Sequence, residues 1–150
     1  MFEASKIGSR FPPFTVTVER GKLRELALAI GDPNPIYQDR DAAQAAGYPD
    51  VPLPPTTATM FLFWGNPQFV EQLISLGLDV TRLLHREESY EYLAPIWPGD
   101  VLSGMMTVRD GSTRTGPDGT TIDLVTLHIR YTNQHNQPVL IATTRLMSRQ

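Results

Sequence analysis

The chain has 150 residues, 41% hydrophobic and 19% charged, with a net charge of −3, which is typical of a single globular domain spanning residues 1–150. The acidic balance, without a lysine and arginine cluster, argues against a nucleic-acid partner, and the absence of cysteine excludes disulfides and cysteine nucleophiles. No apolar run reaches the ~20 residues of a membrane helix and no signal-peptide core is visible, so we expect a cytoplasmic protein without membrane contact.

The first part of the chain has helical periodicity interrupted by turns. Residues 1–15 are predicted to be an irregular leading segment. A helix is then expected to start at Thr17 or Glu19 and to end at Gly31. Its apolar stripe consists of Leu23, Leu26, Leu28 and Ile30. A second, short helix over residues 41–46 would be capped by Asp39 or Asp41.

A third predicted helix is apolar on nearly all sides. It begins at Thr56 or Thr57 and continues to Trp64, a composition that is typical of a buried helix. Residues 65–67, with the sequence Gly-Asn-Pro, interrupt it. Helical spacing resumes over residues 68–76 and ends at Gly77.

After Leu83 the pattern changes to that of strands. We predict one strand over residues 84–93, with Tyr90 and Tyr92 on one face, and three longer strands over residues 101–109, 120–131 and 138–147. Acidic side chains of the first strand are expected on its solvent face; they are Glu87, Glu88 and Glu91. Helices followed by strands favour an α+β fold in which a curved antiparallel sheet wraps around the buried helix, and its open edges predict dimerisation.

A stiff polar loop, residues 30–39, follows the first helix. Pro33 and Pro35 restrict the backbone, so Asp32 and Asn34 should be extended and should present their side chains in defined directions. These residue types also suit a simple helix stop followed by an Asx turn. The loop by itself therefore does not decide between a catalytic and a structural role.

Several motifs, in order, resemble the MaoC-like hydratases and dehydratases of the hot-dog fold. They occupy residues 29–37 (AIGDPNPIY), 46–48 (AGY), 53–56 (LPPT), 85–92 (HREESYEY) and 95–102 (PIWPGDVL). The chain looks most like the N-terminal dehydratase branch related to type I fatty acid synthases and to mycobacterial hydroxyacyl dehydratase subunits. The resemblance implies a hot-dog domain and (R)-specific hydration of 2-enoyl thioesters, or the reverse dehydration of 3-hydroxyacyl thioesters. Coenzyme A or an acyl carrier protein would carry the acyl group, with no metal or redox cofactor.

The family's catalytic motif is Gly-Asp-x-Asn-Pro-Ile-His, in which the aspartate and the histidine activate water. Asp32 and Asn34 match it, but Tyr37 occupies the position of the histidine. Free tyrosine has a pKa near ~10 and free histidine near ~6.5, so Tyr37 is a poor general base. Two interpretations follow: this chain is the non-catalytic partner of a subunit that carries the Asp–His pair, or it acts alone with Asp32 as base and His85 replacing the missing histidine.

The resemblance also implies a set of substrate-binding residues near the start of the buried helix: Tyr48, Pro55, Thr56, Thr57, Met60, Phe61 and Trp64. The backbone N–H groups of Thr56 and Thr57 would polarise the thioester carbonyl. The alternatives are that Thr56 only caps the helix and that the aromatic residues only pack in the core. A hot-dog thioesterase is disfavoured because residues 56–64 contain no acid. The expected partner is a second hot-dog subunit, in a homodimer or a heterodimer.

Overall fold

Five antiparallel strands and four helices make up the computed structural model, which describes residues 1–150. The helices are α1 (Arg20–Ala29), α2 (Arg40–Ala45), α3 (Ala58–Gly65) and α4 (Phe69–Ser75). The strands are β1 (Phe14–Thr17), β2 (Leu83–Tyr92), β3 (Val101–Thr115), β4 (Thr121–Thr132) and β5 (Pro138–Arg149), in the order β1-β3-β4-β5-β2 across the sheet. The predicted α+β fold is confirmed. None of the four helices has the length and hydropathy needed to cross a membrane.

Helix α3 packs against the sheet as predicted, but only one of its faces is buried: Ala58, Phe61 and Leu62 are buried, whereas 56% of Phe63 is exposed. Phe61 is fully buried and meets Tyr131 of β4 edge-on, with 5.9 Å between the ring centroids. Phe14 of β1 meets the same tyrosine ring, also at 5.9 Å. These three rings join α3 to strands from two parts of the sheet, so the core lies between the helix and one sheet face.

Strand β1 is absent from the sequence-based prediction, which assigned Phe14 to an irregular segment and offered Thr17 as a helix start. In the structure this strand pairs with β3, from Phe14 opposite Gly104 to Thr17 opposite Val101. Its side chains alternate between buried and exposed. Helix α1 instead begins after Glu19, and it stops before Gly31, whose φ of +72° is the left-handed conformation expected at a helix C-terminus.

The predicted interruption of the helix at residues 65–67 is confirmed. At this point the chain also packs closely against β1 and α4. Asn66 is buried and donates a 2.8 Å hydrogen bond from Nδ2 to Gln72 Oε1, which ties α3 to α4. Gly65, the last residue of α3, lies against β1. A Cβ atom at this position would be 2.8 Å from Val16 Cβ and 2.9 Å from the Thr15 carbonyl oxygen.

An ion pair anchors the proline-rich segment between α2 and α3. Arg20 at the start of α1 binds both carboxylate oxygens of Asp50, with Nε–Oδ1 at 2.9 Å and Nη2–Oδ2 at 2.6 Å. This bidentate contact lowers the pKa of Asp50 to about 2. The segment leading into α3 therefore has a fixed position relative to α1.

Replacing Gly65 with alanine should destabilise the protein by about 1–3 kcal/mol, because the added methyl group overlaps β1 backbone and side-chain atoms that cannot move independently. Gly21, inside α1, provides the control because its Cβ position has open space around it. Gly21→Ala should stabilise the helix by up to about 1 kcal/mol. Urea unfolding of both variants measures the difference, and equal stabilities would contradict the packing argument.

Candidate active site and acyl cavity

The loop between α1 and α2 forms two successive Asx turns. Asp32 Oδ1 accepts the Asn34 N–H at 2.9 Å, and Asn34 Oδ1 accepts the Ile36 N–H at 3.2 Å, capping the single 3-10 turn Pro35–Tyr37. The Gln38 side-chain amide donates to the Asp32 carbonyl at 3.1 Å. The structural role weighed for these residues is therefore present, and Asp32 Oδ2 still has no hydrogen-bond partner within the chain.

Tyr37 lies beside Asp32 in this loop and is half-buried. Burial, the charge of Asp32 and the neighbouring Tyr48 together raise the pKa of Tyr37 above its ordinary value. The phenol therefore holds its proton even more firmly than free tyrosine. It can donate a hydrogen bond, but this environment works against its action as a general base.

At the start of α3, the two predicted carbonyl-binding amides differ. The Thr57 N–H donates to the Pro54 carbonyl at 2.9 Å, so it is not free to polarise a substrate. The Thr56 N–H has no acceptor within the chain, and Thr56 is exposed. No side chain caps this helix, so the alternative of a Thr56 cap is wrong. The Thr57 hydroxyl is buried without a partner.

An apolar groove of about 530 Å³ lies next to this helix start. Its lining includes Pro55, as well as Pro52, Leu53, Tyr92, Leu93, Ala94, Pro95, Ile96 and Trp97. Tyr92 donates a 2.8 Å hydrogen bond to the Pro55 carbonyl, and burial raises the pKa of Tyr92 to about 12. This contact fixes the end of β2 against the entrance to α3.

A smaller cavity of about 200 Å³ lies between the helices α3 and α4 and the sheet. Its lining is mostly apolar: Leu62, Phe63, Phe69, Val70, Leu73, Val80, Leu83 and Leu146, with Thr59, His85, Glu88 and Thr144 as the polar members. None of the seven predicted substrate-binding residues lines this cavity, and only Pro55 lines the groove. Phe61 is in the core, Met60 is partly buried, and Trp64 packs against the core with Lys22 Nζ 5.4 Å from its ring centroid.

The predicted catalytic residues do not converge on one cavity. Asp32, Asn34 and Tyr37 belong to the loop, near Tyr48, which was predicted to bind substrate, whereas His85 lines the cavity between α3, α4 and the sheet. The partner of His85 is Glu88, with 2.6 Å between His85 Nε2 and Glu88 Oε2. The lining of the cavity that contains His85 includes none of the loop residues.

Glu88 is the cavity residue that the sequence prediction missed, since it was expected on the solvent face. A bulge at Arg86 changes the alternation of β2: His85 pairs with Leu146 and Glu88 with Thr144, whose side chains both point into the protein. The extra residue puts His85 and Glu88 on the same inward face. Only 15% of the Glu88 side chain is exposed, and this burial raises the pKa of its carboxyl, which the Thr144 hydroxyl and His85 offset only in part.

In the wild type, the free energy of unfolding should fall as the pH rises because the buried Glu88 ionises, and replacing Glu88 with glutamine should remove this fall. Because the pKa of Glu88 is raised on folding, its favourable contribution is complete below the ordinary glutamate pKa and is lost as the pH rises through the folded-state value. Urea unfolding from about pH 4 to about pH 7 should show the wild type losing stability relative to Glu88→Gln. The exposed neighbour Glu87 gives the control, Glu87→Gln. A constant difference between wild type and Glu88→Gln would contradict the expected shift.

Comparisons with known proteins agree with this architecture. The FAS1-like dehydratase domain region matches residues 5–142. A UPF0336 protein of Saccharopolyspora erythraea is 36% identical over 98% of this chain and 91% of its own length. A second UPF0336 protein, from Streptomyces avermitilis, is 34% identical over 98% of this chain and 95% of its own length.

Solved structures show the same fold. The HadBC complex, a 3R-hydroxyacyl-ACP dehydratase from Mycobacterium tuberculosis, matches with a TM-score of 0.74 and 25% identity over 95% of this chain and 97% of the matched chain. A protein described as a MaoC-like dehydratase matches with a TM-score of 0.77 and 28% identity, over 96% of this chain and 42% of the other. With its antiparallel sheet packed on a central helix, this chain belongs to the MaoC-like family of hot-dog dehydratases, within the FAS1-like dehydratase group.

Proposed function

We propose that this chain is the acyl-binding subunit of a hydratase that adds water to 2-enoyl thioesters and catalyses the reverse (R)-3-hydroxyacyl dehydration. In this proposal a second hot-dog subunit carries the Asp–His pair. The observation that carries it is Tyr37, which replaces the family's histidine in an environment that raises the pKa of its phenol. Asp32 then has no neighbouring imidazole with which to activate water.

The apolar cavity beside α3 supports the acyl-binding role. Its walls are formed by two helices and the sheet, and most of its lining side chains are hydrocarbon. Sites that enclose a whole drug-sized ligand have volumes of roughly 300–1,000 Å³. A cavity of about 200 Å³ is smaller, so it suits one end of an acyl chain rather than a complete thioester.

The start of α3 supports placement of the thioester group nearby. Thr56 offers an unused backbone N–H for a carbonyl oxygen, and the adjacent groove of about 530 Å³ is large enough to receive the carrier arm. Coenzyme A and an acyl carrier protein present the same pantetheine arm, so either carrier fits this proposal.

The edge of the sheet supports association with a second subunit. Strand β2 is one of the two edge strands and the longer of them, so one side of this 10-residue strand presents unpaired backbone groups. Leu84 and Tyr92 of this strand are exposed hydrophobic residues. The HadBC structure is described as a 3R-hydroxyacyl-ACP dehydratase complex. We propose that β2 contributes to a comparable interface here.

Restoring the missing histidine tests the proposal. The purified chain alone should show no hydration of 2-octenoyl-CoA above background, as measured by loss of the enoyl absorbance. Tyr37→His should raise the rate by about 10²–10⁴-fold, the usual contribution of a positioned general base. Adding Asp32→Asn to this variant should remove the gain.

Tyr48→His is the matched control, because it introduces a histidine in place of the neighbouring, more exposed tyrosine. It should not increase the rate. Hydration by the wild-type chain that disappears in Asp32→Asn would contradict the partner-subunit proposal and would show that the chain is catalytic by itself. The mass of the chain in solution, measured in parallel, distinguishes a homodimer from a monomer awaiting a different subunit.

A further inference from the structure

We propose that the cavity between α3, α4 and the sheet selects acyl chains that carry a hydroxyl group remote from the thioester, and that Glu88 and Thr144 recognise this group. The inference rests on the acyl-binding function proposed above and specifies its substrate class. It comes from the polar side chains on one wall of an otherwise apolar cavity.

Glu88 makes this wall unsuitable for a purely hydrocarbon ligand. Its carboxylate lines the cavity next to apolar side chains of α3, α4 and β5, and the bulge at Arg86 puts His85 on the same face. A methylene chain packed here would displace the remaining water from the carboxylate and would offer no hydrogen bond in return. A ligand oxygen that donates a hydrogen bond avoids this loss.

Thr144 lies beside Glu88 on this wall. Only 3% of this residue is exposed, and its hydroxyl is close enough to lower the pKa of the Glu88 carboxyl, yet it makes no hydrogen bond of acceptable geometry within the chain. Buried polar side chains are rarely left without a well-formed hydrogen bond, so a ligand oxygen placed between these two groups would complete it. Thr59, the other threonine of the lining, already shares a hydrogen bond with Tyr90 and is not available in the same way.

A ligand hydroxyl satisfies both groups at once. It donates a hydrogen bond to the Glu88 carboxylate and accepts one from the Thr144 hydroxyl, whereas a ketone can only accept. His85 acts here as a positioning residue, since its 2.6 Å contact with Glu88 Oε2 orients the carboxylate. Because the proposed thioester position at Thr56 lies outside this cavity, the end that enters the cavity is the distal acyl chain, and the recognised hydroxyl is distinct from the 3-hydroxyl of the reaction.

Calorimetric binding tests this specificity without requiring catalysis. The probes are octanoyl-CoA and the four positional isomers with a hydroxyl at carbon 5, 6, 7 or 8. At least one isomer should bind the wild type about tenfold more tightly than octanoyl-CoA, the gain expected for a hydrogen bond to a charged group. Thr144→Val, which keeps the side-chain shape and removes the hydroxyl, should abolish or strongly reduce this preference.

Thr143→Val is the matched control, because this threonine directly precedes Thr144 in β5 and lies outside the cavity lining. This variant should leave the preference for the hydroxylated ligand unchanged. Glu88→Leu adds a readout that misfolding cannot produce: it should bind octanoyl-CoA more tightly than the wild type while losing the hydroxyl preference. Octanoyl-CoA binding as tightly as every hydroxylated isomer would overturn this inference and leave the acyl-binding function standing. Absence of binding by all five thioesters to the folded protein would overturn both.

Discussion

Packing of α3 against the sheet is the constraint on which the rest of this structure depends. Phe61, Leu62, Phe63 and Trp64 leave the helix without a polar face, so its inner side packs in the core while 56% of Phe63 stays exposed. The sheet supplies most of its apolar neighbours, through contacts such as the edge-on packing of Phe61 and Tyr131. The groove lies at the beginning of this helix and the cavity along its side, so both depend on the same packing.

The Asp32 loop shows how most of a catalytic motif can be present without the histidine that would act as its general base. The carboxylate of Asp32 and the amide of Asn34 hold the loop backbone through two Asx turns, and these hydrogen bonds do not depend on whether water is activated nearby. The position of Tyr37 carries no comparable backbone hydrogen bond through its side chain. Replacement of a histidine there removes the base while the loop conformation stays supported, so a chain can match most of the motif without matching its chemistry.

Sequence patterns predicted the parts of this protein in which periodicity and burial agree. Helix α3 is an example, since its apolar composition predicts packing against the sheet, although the exposed Phe63 shows that burial is not complete. Strand β1 escaped prediction because it is only four residues long, follows two prolines and precedes a helix almost directly. The inward position of Glu88 was missed for a different reason: it was grouped by charge with Glu87 and Glu91, although period-2 alternation puts it on the face of Tyr90 and Tyr92. The bulge at Arg86 then adds His85 to this face, and the sequence gives no sign of that bulge. The largest error therefore concerns the site, although the number of the remaining strands was correct.

If one subunit binds the acyl chain and the other carries the Asp–His pair, the subunit without a general base can still influence the reaction. Binding energy from parts of a substrate far from the reacting atoms can be used to position those atoms in the transition state. An acyl chain held by α3, α4 and β5 would fix the distance from its distal end to the reacting carbons. Recognition by Glu88 and Thr144 would make that positioning depend on the chemical identity of the chain. In such an assembly this subunit would determine which acyl chain is bound. The rate of the chemical step would depend on how accurately the Asp–His pair of the partner is positioned against the bound substrate.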